Sequence, residues 1–122
     1  MKNTGLRCIL VNEEQSIRDY LIKVKKALKN PKNVYFVPRT KNTRELVALG
    51  LSVADVMRII LRLEPRDYYA GPEKVRDGTP GAVMIFHRPY GSMILYIKLV
   101  LLIVDGVERV KILSFHEEGQ HE

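Results

Sequence analysis

The chain has 122 residues, 46% of them hydrophobic and 28% charged. That balance suits one folded globular domain, residues 1–122. The single cysteine, Cys8, excludes an intramolecular disulfide and a cysteine-based zinc site, and points to a reducing compartment.

The stretch Met1 to Leu10 lacks the apolar length of a secretory signal. The longest apolar run, Met93 to Val104, is interrupted by Lys98 and is too short to span a bilayer. The expected setting is the cytoplasm, with no membrane partner.

The net charge of +6 is unevenly placed. Residues 1–50 carry 11 Lys/Arg against 4 Asp/Glu, and residues 51–122 carry 9 against 10. From Leu21 to Arg44 there are eight basic residues and no acidic one, with Tyr35 and Phe36 among them. A one-signed segment is the footprint of a polyanion, nucleic acid first and an acidic protein second. A solvated helix face is the plainer explanation of the same charges.

In chain order, residues 16–29 are predicted as a helix, because Ile17, Tyr20, Leu21, Val24, Ala27 and Leu28 recur at three- and four-residue spacing. Asn30-Pro31 ends it. Val34 to Val37 reads as a short edge strand stopped by Pro38. A second helix is expected from about Thr43 to Leu49, with Asn42 as N-cap and Gly50 as its stop. Ser52 and Asp55 form a capping box that opens a third helix, with Val56, Ile59, Ile60 and Leu63 on its buried stripe.

Turn signals fill Tyr69 to Pro80, which is expected to be a loop. Three strands follow, about Ala82–His87, Met93–Val104 and Glu108–Glu117. Residues 1–15 and 118–122 are expected to be flexible. The predicted fold is α+β, with N-terminal helices packed on a C-terminal antiparallel sheet. That sheet is a three-stranded meander plus the short edge strand.

There is no phosphate loop and no His-Glu-x-x-His, and His87, His116 and His121 are not spaced as a metal cluster. What stands out is a polar set on apolar strands. In the middle strand Leu95, Ile97, Leu99, Leu101 and Ile103 alternate with Tyr96 and Lys98, which therefore face away from the core. His116 ends the last strand, and His87, followed by Arg88, ends the first. A two-residue loop at Asp105-Gly106 would set Tyr96 across from Phe115, and a three-residue loop would set it across from His116. Packing residues at strand ends are the plainer reading of this set.

If the set is functional, its chemistry is RNA cleavage by the RNA's own 2′-hydroxyl. That reaction needs a base, a cation for the phosphorane charge and an acid for the leaving oxygen. Histidines suit the proton transfers, Lys98 the charge, and Tyr96 a phosphate or a stacked base.

Several short runs are shared with a known family. They are Tyr35-Phe36-Val37-Pro38-Arg39, Lys41-Asn42, Leu49-Gly50-Leu51-Ser52, Pro65-Arg66-Asp67-Tyr68-Tyr69, Gly71-Pro72-Glu73, Tyr96-Ile97-Lys98-Leu99 and Leu113-Ser114-Phe115-His116-Glu117. In order and spacing they resemble toxins of the MqsR family (motility quorum-sensing regulators), over about residues 16–118. The resemblance implies a RelE-like ribonuclease fold and an mRNA endonuclease without metal or other cofactor. It also implies a cognate antitoxin partner, typically zinc-containing with a helix-turn-helix domain.

The resemblance puts catalytic roles on Tyr96 and His116. Lys98 and His87 complete the candidate catalytic set. Lys25, Lys29, Arg39, Lys41, Arg88 and Tyr69 form the candidate RNA-contacting set. The sequence departs from the best-known member at Ala70 and at His116, where that member has lysines. The alternative is an RNA-binding or antitoxin-binding module of the same fold with a degraded site. Because His116 must stand beside Tyr96 for the family's chemistry, a three-residue or bulged turn is expected around Asp105–Val107.

A polyanion partner has a direct signature. Affinity for single-stranded RNA should fall steeply as salt rises, because bound cations release counterions from the phosphates. An affinity that stays flat between low and high salt would refute it.

Overall fold

The computed structural model describes residues 4–37 and 40–119, with side chains described over 13–37 and 42–119. Helix α1 spans Thr4–Leu28, strand β1 Val34–Phe36, helix α2 Thr40–Leu49 and helix α3 Val53–Leu61. Strands β2 (Tyr68–Lys74), β3 (Gly81–Tyr90), β4 (Met93–Val104) and β5 (Val107–Glu117) follow. The strands form one five-stranded sheet in the order β1-β5-β4-β3-β2. β1 runs parallel to β5, and the other pairs are antiparallel.

The α+β class is as expected, but the sheet is mixed and has one strand more than the predicted meander and edge strand. The extra strand is β2, which lies where a loop was expected. Its Gly and Pro are turn formers in isolation, yet they are tolerated on a sheet edge, and the pairing with β3 is broken by two register shifts. Gly71 has a φ of +108°, and a Cβ there would stand 2.5 Å from the Val83 carbonyl oxygen. Only glycine lets the edge strand approach β3 this closely.

The helix boundaries also shift. α1 begins at Thr4, so residues 4–15 continue the helix expected from residue 16. α2 begins at Thr40, which places Asn42 inside the helix and not at its N-cap. α3 opens as predicted. Ser52 Oγ accepts from the Asp55 amide at 3.1 Å, and the Ser52 amide donates to Asp55 Oδ2 at 2.8 Å.

The apolar stripe of α1 packs with Val56, Ile60 and Leu63 of the α3 region against one face of the sheet. The sheet supplies Met84, Phe86, Leu95, Ile97, Leu99, Val110, Ile112 and Phe115 to this core. The strand pairs Phe86↔Ile97 and Ile97↔Phe115 form its centre, and all three side chains have no exposed surface.

One polar group enters the core from α1. The Tyr20 hydroxyl donates to the Ala82 carbonyl at 3.0 Å and lies 3.1 Å from the Leu99 carbonyl. Burial pushes this phenol far above the usual tyrosine range, so it stays a neutral donor. It ties α1 to the β3–β4 pair. Tyr20→Phe should cost about 1 kcal/mol in urea unfolding with an unchanged m-value. Stability equal to the parent's would show that the bond contributes nothing net.

Candidate active site

Side chains alternate along a strand, so the residues next to the central core rung point to the other face. They are His87, Tyr96 and His116, and they pair directly as His87↔Tyr96 and Tyr96↔His116. Their rings form a row. Tyr96 and His116 stack with centroids 4.9 Å apart and planes 11° apart. His87 is tilted by 49° to Tyr96 at 5.7 Å. Tyr69 of β2 extends the row by stacking on His87 at 3.9 Å and 13°. Four neighbouring strands thus each contribute one ring to the face away from α1 and α3.

The register that makes this row was expected from a longer turn, and that expectation is corrected. The β4–β5 turn has only two residues, Asp105 and Gly106, and pairs Val104 with Val107. Both turn residues have positive φ, 52° and 75°, as tight hairpin turns of the primed types require. The extra residue sits further along. Leu99 pairs with Ile112 but Lys98 pairs with Ser114, so Leu113 is a bulge in β5. Without it, Tyr96 would face Phe115 and the core would carry His116.

Asn42 holds the bulged segment. It has no exposed surface, and its Nδ2 donates to the carbonyls of Leu113 at 3.1 Å and Val37 at 3.0 Å. Its Oδ1 accepts from the Phe115 amide at 3.4 Å. The amide group thereby acts as a short piece of neighbouring strand for β5, beyond the point where β1 ends. Sequence reasoning assigned Asn42 to a helix cap. The signal for its true role is an asparagine that nothing on its own helix needs.

The two imidazoles differ in surroundings. His116 is 4% exposed, and its Nδ1 lies 2.9 Å from the Glu117 carbonyl oxygen. A carbonyl only accepts, so Nδ1 carries the proton and the lone pair of the neutral ring is on Nε2. His87 Nε2 is buried and has no hydrogen-bond partner among the described residues. An orphaned buried ring nitrogen costs about 1–3 kcal/mol and calls for an explanation, such as a ligand group. His87 and Tyr69 line an open cleft of about 740 Å³, together with Arg66, Arg88, Ile94 and Glu118.

Lys98 lies on the same face as Tyr96, two residues along β4, between Ile85 and Ser114. The other predicted cations fare differently. Arg88 borders the cleft, but its guanidinium is 3.0 Å from the buried Asp67 carboxylate and 3.9 Å from Glu64. Its charge is shared with these two carboxylates, while its side chain still lines the cleft. Lys25 was expected on an open surface; it is half-buried, and its Nζ donates to the Leu63 carbonyl at 2.7 Å. Lys29 is exposed, on the helix layer across the sheet from the ring row. Arg39 and the side chain of Lys41 lie outside the described residues.

Among the described residues no group of three or more His, Cys, Asp or Glu is placed to hold a metal ion. No described helix is long and apolar enough to cross a membrane. No protein-family model matches the chain, and no curated protein matches it.

Asn42 is a positioning residue, and its removal should be visible at the ring row. Asn42→Ala should lower stability by about 1–3 kcal/mol, because buried backbone groups lose their partners. In NMR spectra the His116 ring protons should lose the ring-current shift from Tyr96, while those of His87 keep theirs. Unchanged His116 shifts would mean that the bulge holds without Asn42.

Proposed function

We propose that this protein is an endoribonuclease of the MqsR toxin type, which cuts mRNA through the RNA's own 2′-hydroxyl and is neutralised by a cognate antitoxin. The observation that carries the reading is the ring row, in which two imidazoles flank Tyr96 on the sheet face away from α1 and α3. The 2′-oxygen attacks phosphorus while one imidazole takes its proton. The phosphorus–O5′ bond breaks, and the other imidazole, protonated, supplies the proton to the departing 5′-oxygen. The products are a 2′,3′-cyclic phosphate and a 5′-hydroxyl. Lys98, two residues along β4, balances the charge that builds on the phosphoryl oxygens. Tyr69, 59% exposed, offers a stacking surface for a base beside His87.

The reading as a binding module with a degraded site has one observation in its favour. His116 is only 4% exposed, which restricts contact between its ring and a phosphate. It would keep the same face and the same partners without the chemistry.

Purified protein incubated with a long mRNA in EDTA separates the two. Cleavage should proceed and leave the cyclic-phosphate and 5′-hydroxyl ends. The pH–rate profile should be bell-shaped, and His87→Ala and His116→Ala should each lower the rate by about 100-fold or more and remove one limb of the bell. Circular dichroism spectra matching the parent's would show that both variants fold. Parental rates in both variants, or activity that EDTA abolishes and Mg²⁺ restores, would refute the mechanism. Binding without any cleavage would leave the module reading.

A further inference from the structure

The face that carries the ring row continues into a second cleft. It has a volume of about 420 Å³, within the range of ligand-binding clefts. Its floor is apolar, formed by Val83 of β3, Val100 and Leu102 of β4 and Leu113 of β5. Leu113 is the bulge residue, so the irregularity that brings His116 to Tyr96 also places a side chain in this floor. The rim is basic. Lys74 and Arg76 come from the end of β2 and the loop after it, Lys98 from β4 and Lys111 from β5.

Two carboxylates, Glu73 and Asp77, stand against these four cations. Asp77 is already engaged, because its Oδ1 accepts from the Thr79 amide at 2.9 Å. Hydrogen bonds from Thr79, with the charge of Lys111 nearby, hold its carboxyl below the usual range, so it remains ionised and offsets part of the rim's positive charge. The cleft therefore presents an apolar platform within a ring of net positive charge. A planar base on the platform with its phosphate on the rim satisfies both features.

We infer that this second cleft binds the nucleotide adjoining the one at the ring row, in a single strand of RNA that runs along the open sheet face. The inference rests on the RNA reading above and extends it. Continuity of the two sites favours a strand over a free nucleotide. Lys98 belongs to the second cleft and lies two residues, about 6.6 Å, from Tyr96 along β4. A strand leaving the ring row meets its ammonium first and then Lys111 and Arg76. This places the phosphate-tracking cations on the sheet face, whereas the basic stretch of α1 lies on the opposite layer.

The test is fluorescence anisotropy with a short, fully 2′-O-methylated single-stranded RNA, which binds but cannot be cut through its 2′-oxygen. Arg76→Ala/Lys111→Ala alters two exposed side chains at the rim. The double variant should bind about tenfold more weakly at 0.1 M salt. Its log–log salt slope should fall by about 1.4, the value for two lost phosphate contacts on a single strand. Affinity and slope equal to the parent's would overturn the inference. So would parental RNA affinity combined with lost binding of polyglutamate, which would assign the cleft to an acidic protein.

The probe reads binding alone, so the two proposals fail separately. A parent that never cuts mRNA, with a double variant that still loses affinity and slope, removes the catalytic reading and leaves the cleft. A parent that cuts, with a double variant that binds as the parent does, removes the cleft and leaves the catalysis.

Discussion

The arrangement of the open sheet face depends on one extra residue in β5. Lys98 pairs with Ser114 and Leu99 with Ile112, so Leu113 is inserted between two consecutive rungs and every residue after it is displaced by one position. In a strand, one position is the difference between the two faces. With the bulge, Phe115 completes the core beside Ile97 and His116 joins Tyr96. The cost of the irregularity is offset by Asn42, whose buried amide satisfies the Leu113 carbonyl and the Phe115 amide at the sheet edge. A helix side chain thus controls what the sheet presents on its far side.

The two faces divide the work of the molecule. One is closed by α1 and α3 and is apolar almost throughout, with the Tyr20 hydroxyl as a satisfied exception. The other carries rings, an orphaned imidazole nitrogen and two clefts. Positive charge is present on both sides but is available to different degrees. Arg88 is held by Asp67, and Lys25 by the end of α3, whereas the rim of the second cleft has more cations than carboxylates. Charge counted along the chain picks out α1. Charge counted by face, and discounted for ion pairs, picks out the sheet.

Much of the framework was legible. The 3.6-residue period of α1, the Ser52–Asp55 cap of α3 and the alternation of β4 from Leu95 to Leu99 each stem from local chemistry and stand as read. The Asp105-Gly106 turn, expected to be longer, forms with two residues. The departure came when a correct contact, His116 on Tyr96, was explained by the wrong device. A longer turn and a distant bulge produce the same slip, and residues 107–113 show no sequence mark that separates them. β2 was missed for a related reason. Gly71 and Pro72 are turn residues by propensity, and only the presence of β3 beside them makes an edge strand the better arrangement.

By itself the sequence determined which residues are apolar at which period, where turns are cheap, and hence that Tyr96 and Lys98 oppose the core. These are properties of short stretches, set by side-chain size, backbone sterics and solvation. The tertiary structure alone decided the Leu113 bulge, the role of Asn42, the stacking of Tyr69 on His87 and the capture of Arg88 by Asp67. Each of these joins residues from separate elements. Their energies depend on which backbone groups remain unpaired once the sheet has formed, and no single segment of the chain contains that information.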